Sequence, residues 1–369
     1  MISPQLFAKL AHDYQHLVNR LPTNLAIKLH SWGRLKFMQM LANHHVADSF
    51  IPANDMLKIL WGIKFRSPVL NSAGMFKNGE CYDLVAKQGA GAYLGGTSTH
   101  NMRLGNIRNG IKQPFISLPD AKLSINFLGL PNKGDRVLVD KRITPQKVDG
   151  CPIGWSLMRS PDFEGSVALD KLIESLQWYQ AKPEIDFIEI NESCPNVAHN
   201  SGDVYERLEI IAQRFLRVRT RNLPVIVKFS NDVLPEQLTP LLEHLVKLRF
   251  DGITLGNTST NYKQYANLPR DNAKKLYDYF TTEFGGGLSG NILKRNSLQL
   301  CESAIKHLRH INPNHEFHVL RSGGIDSRED LFQSEHIGGA LNQWYTGYFS
   351  NYINDGDDVY KMILYSQTD

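Results

Sequence analysis

The chain has 369 residues, 42% apolar and 21% charged, which suits one large α/β barrel or two ordinary domains and excludes a disordered or fibrous protein. Its net charge of +4 is concentrated at one end: residues 1–47 carry five lysines and arginines against Asp13 alone, while the rest holds 36 basic and 36 acidic residues. So local an excess argues against nucleic acid as a partner and suits an anionic membrane surface.

In chain order, Leu6, Phe7, Leu10, Ala11, Tyr14, Leu17, Val18 and Leu21 recur at helical spacing and predict an amphipathic helix. Leu21-Pro22-Thr23-Asn24 breaks it, and Leu25, Ala26, Leu29 and Trp32 begin a second apolar face with Lys28, Arg34 and Lys36 among its polar positions. Such a pair either packs on the main body as a helical hairpin or lies in a lipid interface. No run of about 20 apolar residues predicts a transmembrane span, and the N-terminus lacks the apolar core of a secretory signal.

From about residue 55 short apolar runs alternate with helical segments. The runs are Pro68–Ala73, Ala92–Gly95, Pro152–Leu157, Phe187–Ile190, Pro224–Val227, Gly252–Leu255, Phe317–Leu320 and Ala340–Tyr345. Helices are expected at Ser166–Tyr179, Tyr205–Arg219, Pro235–Leu248 and Ser297–Arg309. Eight strands alternating with helices predict an α/β fold, a (β/α)8 TIM barrel, here with a small N-terminal helical hairpin. We place the hairpin at residues 1–47 and the barrel at residues 48–369. No GxGxxG follows the first strand, which leaves a dinucleotide-binding open sheet with little support. Thr99–Gly150 and Asn261–Asn291 are too long for plain barrel loops and are expected to build the site.

Strand ends converge on one face of such a barrel, so their chemistry is the functional signal. The fourth ends in Asn191, Ser193, Cys194, Pro195 and Asn196, amides flanking a thiol that acts as a base if partly ionised. The first runs into Asn71-Ser72-Ala73-Gly74 and on to Lys77, the second ends Gly96-Thr97, the third at Ser156 and the sixth at Gly256-Asn257-Thr258. The seventh ends Ser322-Gly323-Gly324 and the eighth Tyr345-Thr346. Lys228 sits inside the apolar run VIVKFS, where a charge is costly without a partner. It either makes a salt bridge inside the barrel or places positive charge beside a ring that gains negative charge. The glycines of GGGLSG at 285–290 and Gly323-Gly324 suit close backbone approach to a phosphate. Four scattered cysteines (Cys81, Cys151, Cys194, Cys301) with no CxxC argue against a zinc site or a disulfide scaffold and fit a reducing compartment. No metal is expected.

Across roughly residues 55–350 the chain resembles the dihydroorotate dehydrogenase family, through NSAGMFKNGE, SINFLGLPN, INESCPNV, VIVKFS, GNTST, GGGLSG, SGGI and YTG in family order. The resemblance implies FMN as cofactor and oxidation of dihydroorotate to orotate in pyrimidine synthesis. It implies Cys194 as catalytic base, with the substrate held by Lys77, Asn126, Phe127, Leu128, Gly129, Leu130, Asn191, Asn196, Asn257 and Thr258. FMN contacts are implied for Ala73, Gly74, Lys77, Thr97, Ser156, Asn191, Lys228, Gly256, Gly290, Gly323, Gly324, Tyr345 and Thr346.

Two branches of the family are mixed here. The KNGE lysine and the N-terminal helices resemble membrane-associated, quinone-using class 2 members. The cysteine of SCPNV, the GAGAYLGGTST segment and the GLPN motif resemble soluble class 1 members. Gly96 stands where class 1 has a lysine, Phe76 replaces an acidic residue, Glu192 an aliphatic one, and Ser117 an arginine that many class 2 members carry near the quinone tunnel. The expected acceptor is a quinone, reached by peripheral contact of residues 1–47 with the cytoplasmic side of a membrane; a soluble cytoplasmic protein using fumarate or NAD is the alternative. Two further readings are a related flavin barrel acting on another pyrimidine, as the tRNA dihydrouridine synthases do, and a degenerate, non-catalytic binding module.

Overall fold

Eight short parallel strands, nearly every residue of them buried, form the centre of the protein. The structure, a computed structural model, describes residues 2–193 and 204–366. We number the barrel strands β1 (Val69–Asn71), β2 (Tyr93–Ser98), β3 (Ile153–Leu157), β4 (Phe187–Asn191), β5 (Val225–Phe229), β6 (Gly252–Leu255), β7 (His318–Ser322) and β8 (Leu341–Trp344). They pair in parallel in the order β1-β8-β7-β6-β5-β4-β3-β2. Between β1 and β2 the ring is completed by a side chain. Asn71 Nδ2 donates to the Leu94 carbonyl at 2.7 Å and Asn71 Oδ1 accepts from Leu94 N–H at 3.1 Å. Just beyond, Gly74 N–H donates to the Gly96 carbonyl at 2.7 Å. All eight strands fall on the apolar runs read from the sequence, and the barrel is the expected one.

Helices cover the outside because their apolar residues repeat with the period of a helix and face the strands. Pro235–Leu248 buries Leu238, Leu241, Leu242, Leu245 and Leu248. Gly165–Ala181 buries Ala168, Leu169, Leu172, Ile173 and Leu176. Inside the barrel the strands' period of two sorts side chains into layers. Leu70, Leu94, Phe187, Ile226, Leu320 and Leu341 form an apolar lower layer, plugged from below by Trp61 and Phe65. Two residues further along their strands stand Ser72, Glu189, Lys228 and Gln343, a polar layer. Asn191 lies one step higher still, at the mouth.

The two long excursions meet in a small antiparallel sheet. Leu123–Asn126 is its middle strand, flanked by Phe115–Leu118 and Gly287–Gly290. The GGGLSG run is therefore partly strand rather than a glycine loop. Three helices precede the barrel: α1 (Pro4–Asp13), the single turn α2 (Gln15–Val18) and α3 (Thr23–Ala42). Ala26 and Ile27 of α3 join the apolar core beneath the small sheet, and Phe115 N–H donates to the Ser31 hydroxyl at 3.0 Å. Phe7 of α1 stacks on Phe37 of α3, which meets Phe349 and Tyr352 edge-on. The helices thus do pack on the main body as a hairpin. Yet Leu6, Leu10, Tyr14, Leu17, Leu21, Leu25, Leu29 and Trp32, most of the apolar positions read as the two helix faces, stay exposed. No helix among the described residues is long and apolar enough to cross a membrane.

Candidate active site

At the C-terminal ends of the strands lies a cleft of about 850 Å³, mouth included. It gathers Ala73, Gly74, Lys77, Thr97, Asn126, Leu128, Leu130, Asn191, Asn257, Thr258, Gly290, Gly323, Gly324, Tyr345 and Thr346, fifteen of the residues singled out from the sequence. Ser72, Ser289, Ser322, Ile325, Gln343, Trp344 and Gly347 also line it without having been assigned as contacts, although Ser72, Ser289, Ser322, Ile325 and Gly347 lie inside recognised motifs. Five expected contacts stand back from the wall. Ser156 lies behind Thr97, their hydroxyls 2.9 Å apart. Lys228 lies behind Ser72 and Gln343, Phe127 packs on the small sheet's core, and Gly129 is fitted against Asn106. Gly256 is wedged against β7: at φ +106° a Cβ on it would sit 2.0 Å from the Ser322 carbonyl oxygen. Cys194 and Asn196 lie outside the described residues.

The amides are preset by their neighbours. Asn191 Nδ2 donates to the Thr97 hydroxyl at 3.1 Å, and its Oδ1 accepts from both the backbone and the hydroxyl of Ser193. Asn257 Nδ2 donates to the Ser193 hydroxyl at 2.7 Å, tying the ends of β4 and β6 together. Asn126 Nδ2 donates to the Gly287 carbonyl across the small sheet. Among the described residues the Thr258 hydroxyl is buried with no hydrogen-bond partner, and Thr258 lines the cleft. Gly323 and Gly324, at φ +89° and +81°, carry the backbone after β7 where no side chain fits: a Cβ on Gly324 would lie 2.3 Å from Lys294 Cα. The helix Thr346–Asp355 opens at the same end of the cleft. Glycine turns after the seventh and eighth strands beside a helix N-terminus are the usual phosphate cradle of this fold.

Under the cleft floor is a buried charge network. Lys228 Nζ donates to Gln343 Oε1 at 2.8 Å and to the Ser72 hydroxyl at 3.1 Å. Glu189 is wholly buried and accepts from the Gln343 amide and from the Thr254 hydroxyl. Its second oxygen lies 3.7 Å from Lys228 Nζ. Burial pushes the Lys228 ammonium below its ordinary pKa, and the Glu189 charge opposes that shift. The salt bridge read as one possibility for Lys228 is present, directly beneath the cleft floor.

Strand β2 is braced from behind by Asp135. The Ser98 hydroxyl donates to its carboxylate, Tyr179 donates at 3.3 Å, and Trp155 Nε1 donates to Ser98 Oγ at 2.8 Å. Burial pushes the Asp135 carboxyl up to about 6 against those bonds. The three described cysteines are poor bases: burial raises Cys151 to about 11 and Cys301 to about 12, and Cys81 higher still. Two oddities of the sequence also find places. Phe76 stacks on Tyr93 with ring centres 6.1 Å apart. Glu192 accepts from Arg207 Nη2 at 2.8 Å and Nε at 3.2 Å, a nearly buried ion pair that anchors the helix Val204–Arg214 to the end of β4.

A second cavity, about 2100 Å³ with its mouth, runs between the hairpin and the barrel. Phe7, Leu10, Val18, Leu29, Trp32, Phe37, Phe115 and Phe349 make it largely apolar. Several of the polar groups in its wall are held by hydrogen bonds. Gln15 donates to the Ser117 carbonyl at 2.7 Å, and His30, which burial pushes down to about 4, is neutral beside Asn19. Arg34 Nη2 donates to Gln113 Oε1 at 2.8 Å, and burial pushes the guanidinium below its ordinary pKa while the neighbouring Tyr345 opposes that shift. Tyr345, Thr346 and Gly347 line both cavities. Part of the partition is a trio of hydroxyls, with Ser124 on the hairpin side, Ser289 on the cleft side and Thr346 on both. Each lies 2.9–3.2 Å from the other two.

Comparison with known proteins agrees with this architecture. The family model for dihydroorotate dehydrogenase matches residues 56–362. A dihydroorotate dehydrogenase (quinone) of Nitrosomonas europaea is 28% identical over 295 residues, covering 77% of this chain and 79% of that protein. One of Acinetobacter baylyi is 28% identical over 308 residues, covering 81% and 84%. In fold, the chain matches DHODH of Eimeria tenella in complex with ferulenol with a TM-score of 0.71 at 20% identity, over 90% of this chain and 89% of that one.

Proposed function

Because the chain belongs to the dihydroorotate dehydrogenase family, we propose that it oxidises dihydroorotate to orotate with FMN held in the strand-end cleft, and that a quinone takes up the two electrons and two protons. One observation carries this reading: a polar cleft built of strand-end amides and an apolar cavity under the hairpin share a single wall at Tyr345–Gly347. An oxidoreductase that uses a polar substrate and an apolar acceptor needs two such chambers. The two relatives named as quinone enzymes support the choice of acceptor.

The residues present fit FMN: glycines that allow close backbone approach, a helix N-terminus for the phosphate, the orphan Thr258 hydroxyl, and a buried lysine under the floor. Ala73, Gly74, Thr97, Gly290, Gly323, Gly324, Tyr345 and Thr346 would hold it, with Ser156, Lys228 and Gly256 supporting them from behind. Bound there, FMN supplies the acceptor for the hydride from C6 of the substrate and the means of passing electrons on to the quinone. Asn126, Asn191, Asn196 and Asn257 grip the ring's polar edges, and Lys77 pairs with the substrate carboxylate. Cys194 removes the proton at C5. On the acceptor side, Arg34 offers a guanidinium from the hairpin, where Ser117 leaves the barrel without one. Residues 1–47 form the access segment, lying peripherally on a membrane through their exposed leucines and Trp32, and residues 48–369 form the catalytic barrel.

The test is anaerobic mixing of the purified yellow protein with dihydroorotate, followed by quinone, fumarate or NAD in separate runs. Bleaching of the flavin band and its recovery with quinone alone are expected, and Cys194→Ala should bleach at least a hundred-fold more slowly. A colourless protein, or one that dihydroorotate leaves oxidised, would refute the assignment.

A further inference from the structure

A buried lysine next to a ligand site is usually read by itself, yet here it belongs to a pair. Glu189 and Lys228 occupy neighbouring strands in the same interior layer, both without solvent exposure. Two connections from Glu189 lead towards the cleft floor: to Gln343, which lines it, and to Lys228, which bonds the two floor residues Ser72 and Gln343. Thr254, from β6, gives Glu189 one further donor and carries no charge. Of the groups packed round Lys228 on β1, β4, β6 and β8, namely Ser72, Glu189, Thr254 and Gln343, Glu189 is the titratable one. Lys77 is the other lysine near the floor and lines the cleft itself. A buried ammonium without a counter-charge is strongly disfavoured. The carboxylate in turn cancels much of the positive field that Lys228 would otherwise exert on a ligand above it.

We propose that Glu189 is a positioning residue for this site, a buried counter-charge that keeps Lys228 charged and fixed under the floor and so sets how far the site favours reduced over oxidised FMN. The inference rests on the FMN reading above. It identifies the pair, rather than the lysine, as the group that tunes the cofactor. Glu189→Gln keeps the shape and the Gln343 contact but removes the negative charge. Where Lys228 keeps its proton it then stands as an uncompensated cation, and the anionic reduced flavin gains. As pH rises, Lys228 without its partner loses its proton and the gain disappears. Wild type, with the pair intact, shows no such break.

The experiment equilibrates the FMN-loaded protein with a redox indicator dye at intervals from pH 6 to pH 9, with no substrate present. Glu189→Gln should favour reduced flavin over wild type by roughly ten-fold or more at pH 6, the difference closing by pH 9. Glu189→Asp should stay near wild type, and Glu189→Gln combined with Lys228→Met should lose the pH-dependent difference. A Glu189→Gln protein that stays yellow and tracks wild type within two-fold at every pH would overturn the proposal while leaving the FMN reading intact. A wild type that binds no FMN would overturn both. If Glu189→Gln alone fails to fold, folding of the doubly neutral variant supports a charge-pair role, and failure of both counts against it.

Discussion

Asp135 ties a stability measurement to the geometry of the site, because its carboxylate holds the strand that presents Thr97 to the cleft. The carboxyl is pushed from 3.8 to about 6, with burial as the largest cause and the Ser98, Ser175 and Tyr179 hydroxyls opposing it. That gap corresponds to about 3 kcal/mol between the two protonation states. With the folded pKa above the unfolded one, the fold holds an extra proton between about pH 4 and pH 6. The advantage of the neutral form is whole below that window and is lost as pH climbs through it. At neutral pH the ionised carboxylate therefore burdens the fold. Asp135→Asn keeps the shape and an acceptor oxygen but cannot ionise, so the variant should gain about 3 kcal/mol on wild type between pH 4 and pH 8. Urea unfolding followed by tryptophan fluorescence, with both proteins at each pH, reads that difference directly. Contributions from the surface carboxylates are common to both proteins and largely cancel. A variant-minus-wild-type difference that is flat with pH would refute the buried-acid argument.

Arg34→Leu should raise the KM for quinone by about ten-fold, the scale of one lost charge-assisted hydrogen bond. Flavin bleaching by dihydroorotate should stay within two-fold of wild type, and equal loss in both half-reactions would show Arg34 to be merely structural. Gly324→Ala forces a methyl to within 2.3 Å of Lys294 Cα at φ +81°. It should weaken FMN binding by ten-fold or more through about 2 kcal/mol of strain, read by quenching of FMN fluorescence, and wild-type affinity would refute the cradle. Replacing the exposed Leu6, Leu17 and Leu25 with serine should abolish flotation with anionic phospholipid vesicles while bleaching is retained. Flotation that survives the triple change would show that this face does not meet lipid.

All eight strands were legible in the sequence because a strand buried on both faces must be a short apolar run, and little else produces eight of them at such spacing. The helix Pro235–Leu248 was legible to the residue, since a proline starts it and its leucines repeat at helical spacing. The small antiparallel sheet was not, because Leu123–Asn126 and Gly287–Gly290 lie about 160 residues apart and neither is long or regular enough to read alone. The site divides in the same way. Residues lying directly at strand ends were found. Gln343 and Glu189 were passed over, one inside the run ALNQW and the other inside FIEIN, although a carboxylate two residues before Asn191 shares its face and was the natural partner for Lys228. Glu192 could not be explained from sequence, since its partner Arg207 is brought back only when the following helix folds over the strand end.

The hydroxyl trio of Ser124, Ser289 and Thr346 has a consequence for what the two reactants can ever know of each other. It is a septum one side chain thick. A molecule in the cleft and one under the hairpin would be near neighbours with these hydroxyls between them. Electrons cross such a gap easily while atoms do not, so a greasy, water-shunning reagent and a charged, water-loving one can be served by one protein without sharing a doorway. Away from the shared wall at Tyr345–Gly347, each chamber can then be reshaped for its own guest.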